Sequence, residues 1–311
     1  MSLLHLWYSE LYSAGIHQDA RFPRARYEMV YRLLDVMGAP VCIHEAKPVA
    51  SEDILLCHDP QYVHDFLHAQ LSEKAIRRIG LRPWTKDIIP RTLCLVGGTL
   101  AATKHVLQHG GFAGNLAGGT HHAFYDCGSG YCIFNDIAVS ASWAQQYGHA
   151  KQILVIDLDV HQGDGTAQMF ATDDSVWTFS MHCGKNFPFR KQTSNLDISL
   201  QSDMQDEEYL HILATHLPQL VEQVEPDLVF YQAGVDSLRE DKLGKLALTA
   251  SGLKQRNEMV YQELAARNIP TVLTMGGGYS EPLIHSVEAH ADVFLGALQH
   301  QWSTISQSRM I

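Results

Sequence analysis

The segment that most constrains this chain is Ile153-Leu-Val-Ile-Asp157-Leu-Asp159-Val-His161-Gln-Gly-Asp164-Gly165, an apolar run that passes directly into acids, a histidine and glycines. Its β-branched and leucine residues, bounded by turn signals, fit a buried central strand of a parallel sheet, although periodicity alone also admits a buried helical segment. Successive side chains on an extended chain point to opposite faces, which puts Asp157, Asp159 and His161 on one face and Leu158 and Val160 on the other. Carboxylates held this close repel unless a proton or cation lies between them, and a neutral imidazole beside them completes a ligand set for a divalent metal. A metal reading is therefore favoured over solvated loop acids.

The rest of the chain alternates strands with helices. Apolar or β-branched runs predict strands over 3–8, 41–44, 153–156, 176–181, 228–231 and 271–275, with a strand end at 115–117. Helical spacing predicts helices over 24–37, 87–108, 135–147, 166–170, 249–267 and 287–298, and one over 207–224 interrupted or bent near Pro218. His58, His64 and His68 read as surface or capping histidines, and 183–194 as a polar loop. Parallel strands need crossover connections, so this order predicts an α/β fold with a doubly wound, mostly parallel sheet and helices on both faces. At 311 residues it is read as a single domain, 1–311.

Placement then becomes informative. Gly118-Gly-Thr-His121-His122, the Asp157/Asp159/His161 run, Asp236 and Gly276-Gly-Gly-Tyr279 each follow directly on a predicted strand. In open α/β sheets ligands bind outside the carboxyl ends of the strands, so four separate segments aim polar groups at one crevice. The paired histidines suit either an acid–base role or a plain surface pair.

Composition bounds the partners. The net charge of −11, from 23 Lys+Arg against 34 Asp+Glu, argues against non-specific nucleic-acid binding and mildly favours a cationic ligand such as a lysine side chain or a polyamine. Six cysteines without C-x-x-C spacing fit reduced thiols. With neither a basic, long-apolar N-terminal segment nor an apolar run that could span a bilayer, the expectation is a soluble cytoplasmic protein with no membrane partner. Oligomeric state is left open.

Together Gly118-Gly-Thr-His121-His122, Asp157-Leu-Asp159-Val-His161-Gln-Gly-Asp164-Gly165, Gln232-Ala-Gly-Val-Asp236 and Gly276-Gly-Gly-Tyr279 resemble the signature of the histone deacetylase family, over almost the whole chain. Gln162, where many members carry a second histidine, and the loop from Gly184 to Lys191 are most similar to class IV and bacterial histone deacetylase-like proteins.

The resemblance implies the arginase/deacetylase fold and metal-dependent hydrolysis of an acetyl or longer acyl amide on lysine side chains of proteins or peptides. Asp159, His161 and Asp236 would bind Zn2+, with Fe2+ or another divalent ion as alternatives. His122, oriented by Asp164, would be the main general base and acid, and His121 would pair with Asp157. Tyr279 would donate its hydroxyl to the substrate carbonyl. Gly130, Tyr131 and Phe187 would line a tunnel for the aliphatic stem, and Asp157 and Ser180 would contribute to a K+ site. Alternatives are a deacetylase of acetylpolyamines or other small N-acyl amines, an arginase-like two-metal hydrolase, and a non-catalytic acyl-lysine-binding scaffold. A scaffold would be expected to have lost a ligand, a catalytic histidine or the tyrosine, and all are present. The two loops assigned to the rim, 128–131 and 183–194, hold no acid but include Lys185, Arg190 and Lys191, which disfavours a polyamine tail.

Overall fold

Eight strands form one sheet in which every neighbouring pair is parallel. In chain order they are β1 (Leu4–Tyr8), β2 (Val41–Glu45), β3 (Phe112–Asn115), β4 (Ile153–Asp157), β5 (Val176–Cys183), β6 (Leu196–Leu200), β7 (Leu228–Gln232) and β8 (Thr271–Thr274). Their spatial order is β2-β1-β3-β8-β7-β4-β5-β6. This computed structural model describes residues 3–302.

The two-residue period of the central strands sorts their side chains into two cores. Ile153 and Val155 of β4, Leu228 and Phe230 of β7 and Val272 of β8 pack with Ala102 and Val106 of the helix Ile88–His109 and with Ile137 and Ala141 of the helix Asp136–Gln146. The alternate residues Leu154, Ile156, Val229, Tyr231 and Leu273 pack on the other face against Leu213 and Leu217 of Asp206–Val224, Val260 of Ala250–Ala266 and Phe294 of Ile284–Leu298. The unbroken apolar run Ile153-Leu-Val-Ile156 of β4 thus reflects burial on both faces, as a parallel sheet between two helical layers requires.

The structure departs from the sequence reading at three places. The helix Asp206–Val224 runs on with Pro218 inside it, because its stripe of Tyr209, Leu213, Leu217, Leu220, Val221 and Val224 is buried and outweighs the backbone bond that proline removes. Just beyond the polar loop 183–194 runs a strand the sequence reading did not assign, β6, whose Leu-Asp-Ile-Ser-Leu sequence alternates between less and more exposed positions as an edge strand does. His58 is fully buried rather than superficial, with Nδ1 donating to the Tyr125 carbonyl at 3.1 Å and Nε2 accepting from the Asn135 amide at 3.0 Å. His64 and His68 are exposed, as expected. Among the described residues no helix is long and apolar enough to cross a membrane, and all six cysteines are free.

Candidate active site

The polar loops sit where parallel strands release the chain. Asp159 and His161 follow β4, Asp236 follows β7, and the donor atoms of these three lie within 4.8 Å of one another. His161 Nδ1 is 3.1 Å from Asp159 Oδ1 and 3.0 Å from Asp236 Oδ2. Backbone donors fix the carboxylates: the Gly277 amide donates to Asp159 Oδ2 at 2.8 Å and the Val160 amide to Asp236 Oδ1 at 2.9 Å.

All three side chains are buried, which opposes charge. Against that burial Asp236 and Asp159 push the His161 imidazole up to about 10. Burial and then the neighbouring Asp159 raise Asp236 to about 7. At Asp159 burial is overcome by His121 and His161, which hold its carboxyl well below the ordinary value. The contacts of His161 Nδ1 with the two carboxylates are those of an imidazole N–H, and a divalent cation would displace that proton on binding. Two carboxylates and one imidazole suit Zn2+ or Fe2+, and three protein donors leave a coordination position open.

The loop after β3 carries the two histidines. His121 Nδ1 lies 2.7 Å from Asp157 Oδ2, and His122 Nδ1 lies 2.6 Å from Asp164 Oδ1. Burial opposes charge on both rings, and their neighbours separate them. Asp157 and Asp159 bring His121 up to about 9, whereas burial and the adjacent His121 leave His122 at about 4. A neutral His122 that donates through Nδ1 to Asp164 keeps an Nε2 lone pair for the cavity it lines. Asp164 opens the short helix Asp164–Met169, which fixes its position beside the ring.

Tyr279 projects from the glycine loop after β8. Burial, opposed by Arg26, raises its phenol well above the ordinary value, so the hydroxyl remains a donor. Sequence reasoning missed Arg26. Its side chain is 1% exposed, donates to the carbonyls of Gly278 at 2.5 Å and Gly276 at 2.9 Å, and lies 5.5 Å from the Tyr279 ring centroid. A second missed cation, Arg256, is also fully buried and donates to the carbonyls of Gly234 at 2.7 Å and Leu158 at 3.2 Å, tying the loops of Asp236 and Asp159 together. The signal for Arg256 is a charge set within the apolar stripe of Leu253 and Val260.

Asp159, His161, Asp236, His121, His122 and Tyr279 line a cavity of about 450 Å3, with Arg26 in its wall. Its wall includes all three residues expected of a tunnel. Phe187 stands edge-on to His122, with ring centroids 4.9 Å apart, and Tyr131 lies 6.0 Å from Tyr279. Gly130 fits between His122 and Phe187 with a φ of +53°, and a Cβ there would lie 2.6 Å from the His122 ring. Phe22 adds a further aromatic, 5.4 Å from Tyr131.

The rim's charges differ in detail from those expected. Lys185 lines the cavity, but Lys191 donates to the carbonyls of Gly184, Asn186 and Pro188, and Arg190 is exposed and not among the lining residues. Arg78 and Lys245 take their place, and among the described lining residues the only carboxylates are Asp159 and Asp236. Gln162 clamps this loop: its amide donates to the Gln192 carbonyl at 2.8 Å and to Asp197 at 2.7 Å, and its oxygen accepts from the Gln192 amide. Asp157 and Ser180 are register partners on β4 and β5, and the Ser180 hydroxyl is 2.9 Å from His182 Nδ1.

Comparison with known proteins agrees with this architecture. A protein 45% identical over 282 residues, covering 90% of this chain and 93% of its own, is an uncharacterised protein of Picosynechococcus sp.. Histone deacetylase 2 of Arabidopsis thaliana is 28% identical over 300 residues, covering 90% of this chain and 75% of its own. The acetoin utilization protein AcuC of Staphylococcus aureus is 26% identical, covering 89% and 77%. The crystal structure of the HDA15 HD domain superposes with a TM-score of 0.78 at 18% identity, covering 94% of this chain and 90% of that one, and so shares its fold. A histone deacetylase domain model matches residues 20–294, and the chain belongs to the histone deacetylase family.

Proposed function

We propose that this chain is a metal-dependent amidohydrolase that removes an acetyl or longer acyl group from lysine side chains of proteins or peptides. The observation that carries the proposal is the meeting, in one narrow cavity, of the Asp159/His161/Asp236 donor set with a neutral His122 and the Tyr279 hydroxyl. Bound there, Zn2+ or Fe2+ would supply Lewis acidity to the amide carbonyl and to a water molecule. His122 Nε2 takes a proton from the attacking water while Asp164 holds the ring through Nδ1. As oxygen bonds to the carbonyl carbon, the Tyr279 hydroxyl donates to the developing oxyanion. Cleavage of the C–N bond then sends a proton to the departing amine, for which His122 and His121 are the acids at hand, leaving a carboxylic acid and lysine. Asp157 balances a protonated His121, and its remaining oxygen with Ser180 offers hard donors for a K+ ion.

The substrate follows from the wall and rim. Gly130, Tyr131 and Phe187 give an aliphatic stem a narrow, apolar passage, and Lys185, Lys245 and Arg78 repel the extra charges of a polyamine. A reducing, cytoplasmic setting accords with the free thiols. The test compares kcat/KM for an acetyl-lysine peptide, a long-chain acyl-lysine peptide and an acetylated polyamine. The peptides should be preferred; a clear preference for the polyamine overturns the lysine assignment and leaves the amide chemistry standing.

A further inference from the structure

We infer a second metal site on the outer strands of the sheet, built from His5, Cys42 and His44 and selective for a thiophilic d-block ion such as Zn2+. β1 and β2 pair so that His5 lies opposite Cys42 and Trp7 opposite His44. The two-residue period then sets these four side chains on one face of the sheet. The donor atoms of His5, Cys42 and His44 all lie within 4.8 Å of one another, and all three residues are partly exposed, so an ion can reach them.

His5 Nδ1 approaches His44 Nε2 to 2.8 Å. So short a nitrogen–nitrogen contact requires one ring to carry a proton and the other to turn a lone pair to the same point, and a cation replaces that proton by accepting both lone pairs. Both rings are already oriented. His105 stacks on His5 with centroids 4.2 Å apart, and Trp7 stacks on His44 at 4.8 Å. His105 in turn packs 4.6 Å from His109, one turn further along the helix Ile88–His109.

The donor chemistry is distinct from that of the active site. One thiolate with two imidazoles suits Zn2+, and three protein donors leave a fourth position to solvent. The catalytic loops follow β3, β4, β7 and β8, whereas this cluster lies on β1 and the edge strand β2. An ion here would staple the edge strand to its neighbour.

The test uses the full chain, stripped of metal and reloaded. Zn2+ content should fall by one equivalent in Cys42→Ser while deacylase turnover stays at the native level. With Co2+, the native chain should develop a near-ultraviolet thiolate-to-cobalt charge-transfer band that Cys42→Ser lacks and His44→Ala loses or weakens. Asp159, His161 and Asp236 carry no sulfur, so Asp236→Ala should keep the band, which separates this site from the catalytic one. Absence of the band in the native chain, its retention in Cys42→Ser, or unchanged Zn2+ content in Cys42→Ser overturns the inference.

Discussion

Replacing Gly277 by alanine should damage the metal site without touching a ligand. The added Cβ would lie 1.9 Å from Asp236 Oδ2 and 3.0 Å from Asp159 Oδ2, and real Cβ atoms essentially never approach a heavy atom closer than 3.0 Å. Either the carboxylate or the loop must therefore retreat by about 1.1 Å, the gap between those limits. Asp236 Oδ2 faces His161 Nδ1 at 3.0 Å, and the Gly277 amide donates to Asp159 at 2.8 Å, so either retreat breaks a contact to a charged group. Such a contact is worth about 1.5–3 kcal/mol, which converts to roughly 10- to 150-fold in affinity when the ligand set must be restored on binding. Equilibrium dialysis against buffered Zn2+ should show that loss, with kcat/KM falling in parallel at limiting metal and recovering in part at high metal. A normally folded Gly277→Ala chain with native Zn2+ affinity and activity would refute the ligand assignment of Asp236 and Asp159.

Two further expectations concern single side chains. Tyr279→Phe should retain metal and fold but lower kcat by roughly 10²–10³-fold, the scale of one missing oxyanion donor; an unchanged kcat reduces the tyrosine to a packing role. His58 carries a stability signature, since burial holds its imidazole at about 4 against an ordinary 6.5 and protonation of Nε2 would set a donor against the Asn135 amide. Its folded pKa is depressed, so its contribution is complete above pH 6.5 and is lost as pH falls to about 4, a difference of roughly 3 kcal/mol. His105 and His182 also sit at about 4, so the measurement is the difference between native and His58→Gln denaturant midpoints across pH 6.5 to 4, which should narrow as pH falls. A constant difference across that range contradicts the buried neutral imidazole.

How much of this was legible in the sequence depended on whether a residue's role is written in its neighbours. β4 and the loop after it were readable because a fully apolar run turns at once into acids, histidine and glycine, and that abrupt change marks a strand end at a crevice. β6 was not, because the Asp and Ser of an edge strand look like loop residues until β5 pairs with them. His58 was misread because it stands just ahead of the helix Pro60–Leu67, in a polar stretch that resembles surface structure, and only the distant Asn135 and Tyr125 give it partners. Arg26 and Arg256 were passed over because a buried arginine is recognisable only from the carbonyls it meets, which come from loops far along the chain. Lys191 shows the opposite error, a charge counted at the rim that the fold spends on three carbonyls of its own loop.

The central claim is a division of labour between the ligand set and the histidine pair. The most direct test measures stoichiometric metal and acetyl-lysine peptide turnover together in Asp236→Ala and His122→Ala. Asp236→Ala should lose the one equivalent of metal held by the Asp159/His161/Asp236 set together with turnover, whereas His122→Ala should keep that equivalent and lose turnover by about 10²–10⁴-fold, the usual contribution of general acid–base assistance. Full metal occupancy in Asp236→Ala, or native turnover in His122→Ala, would contradict the account.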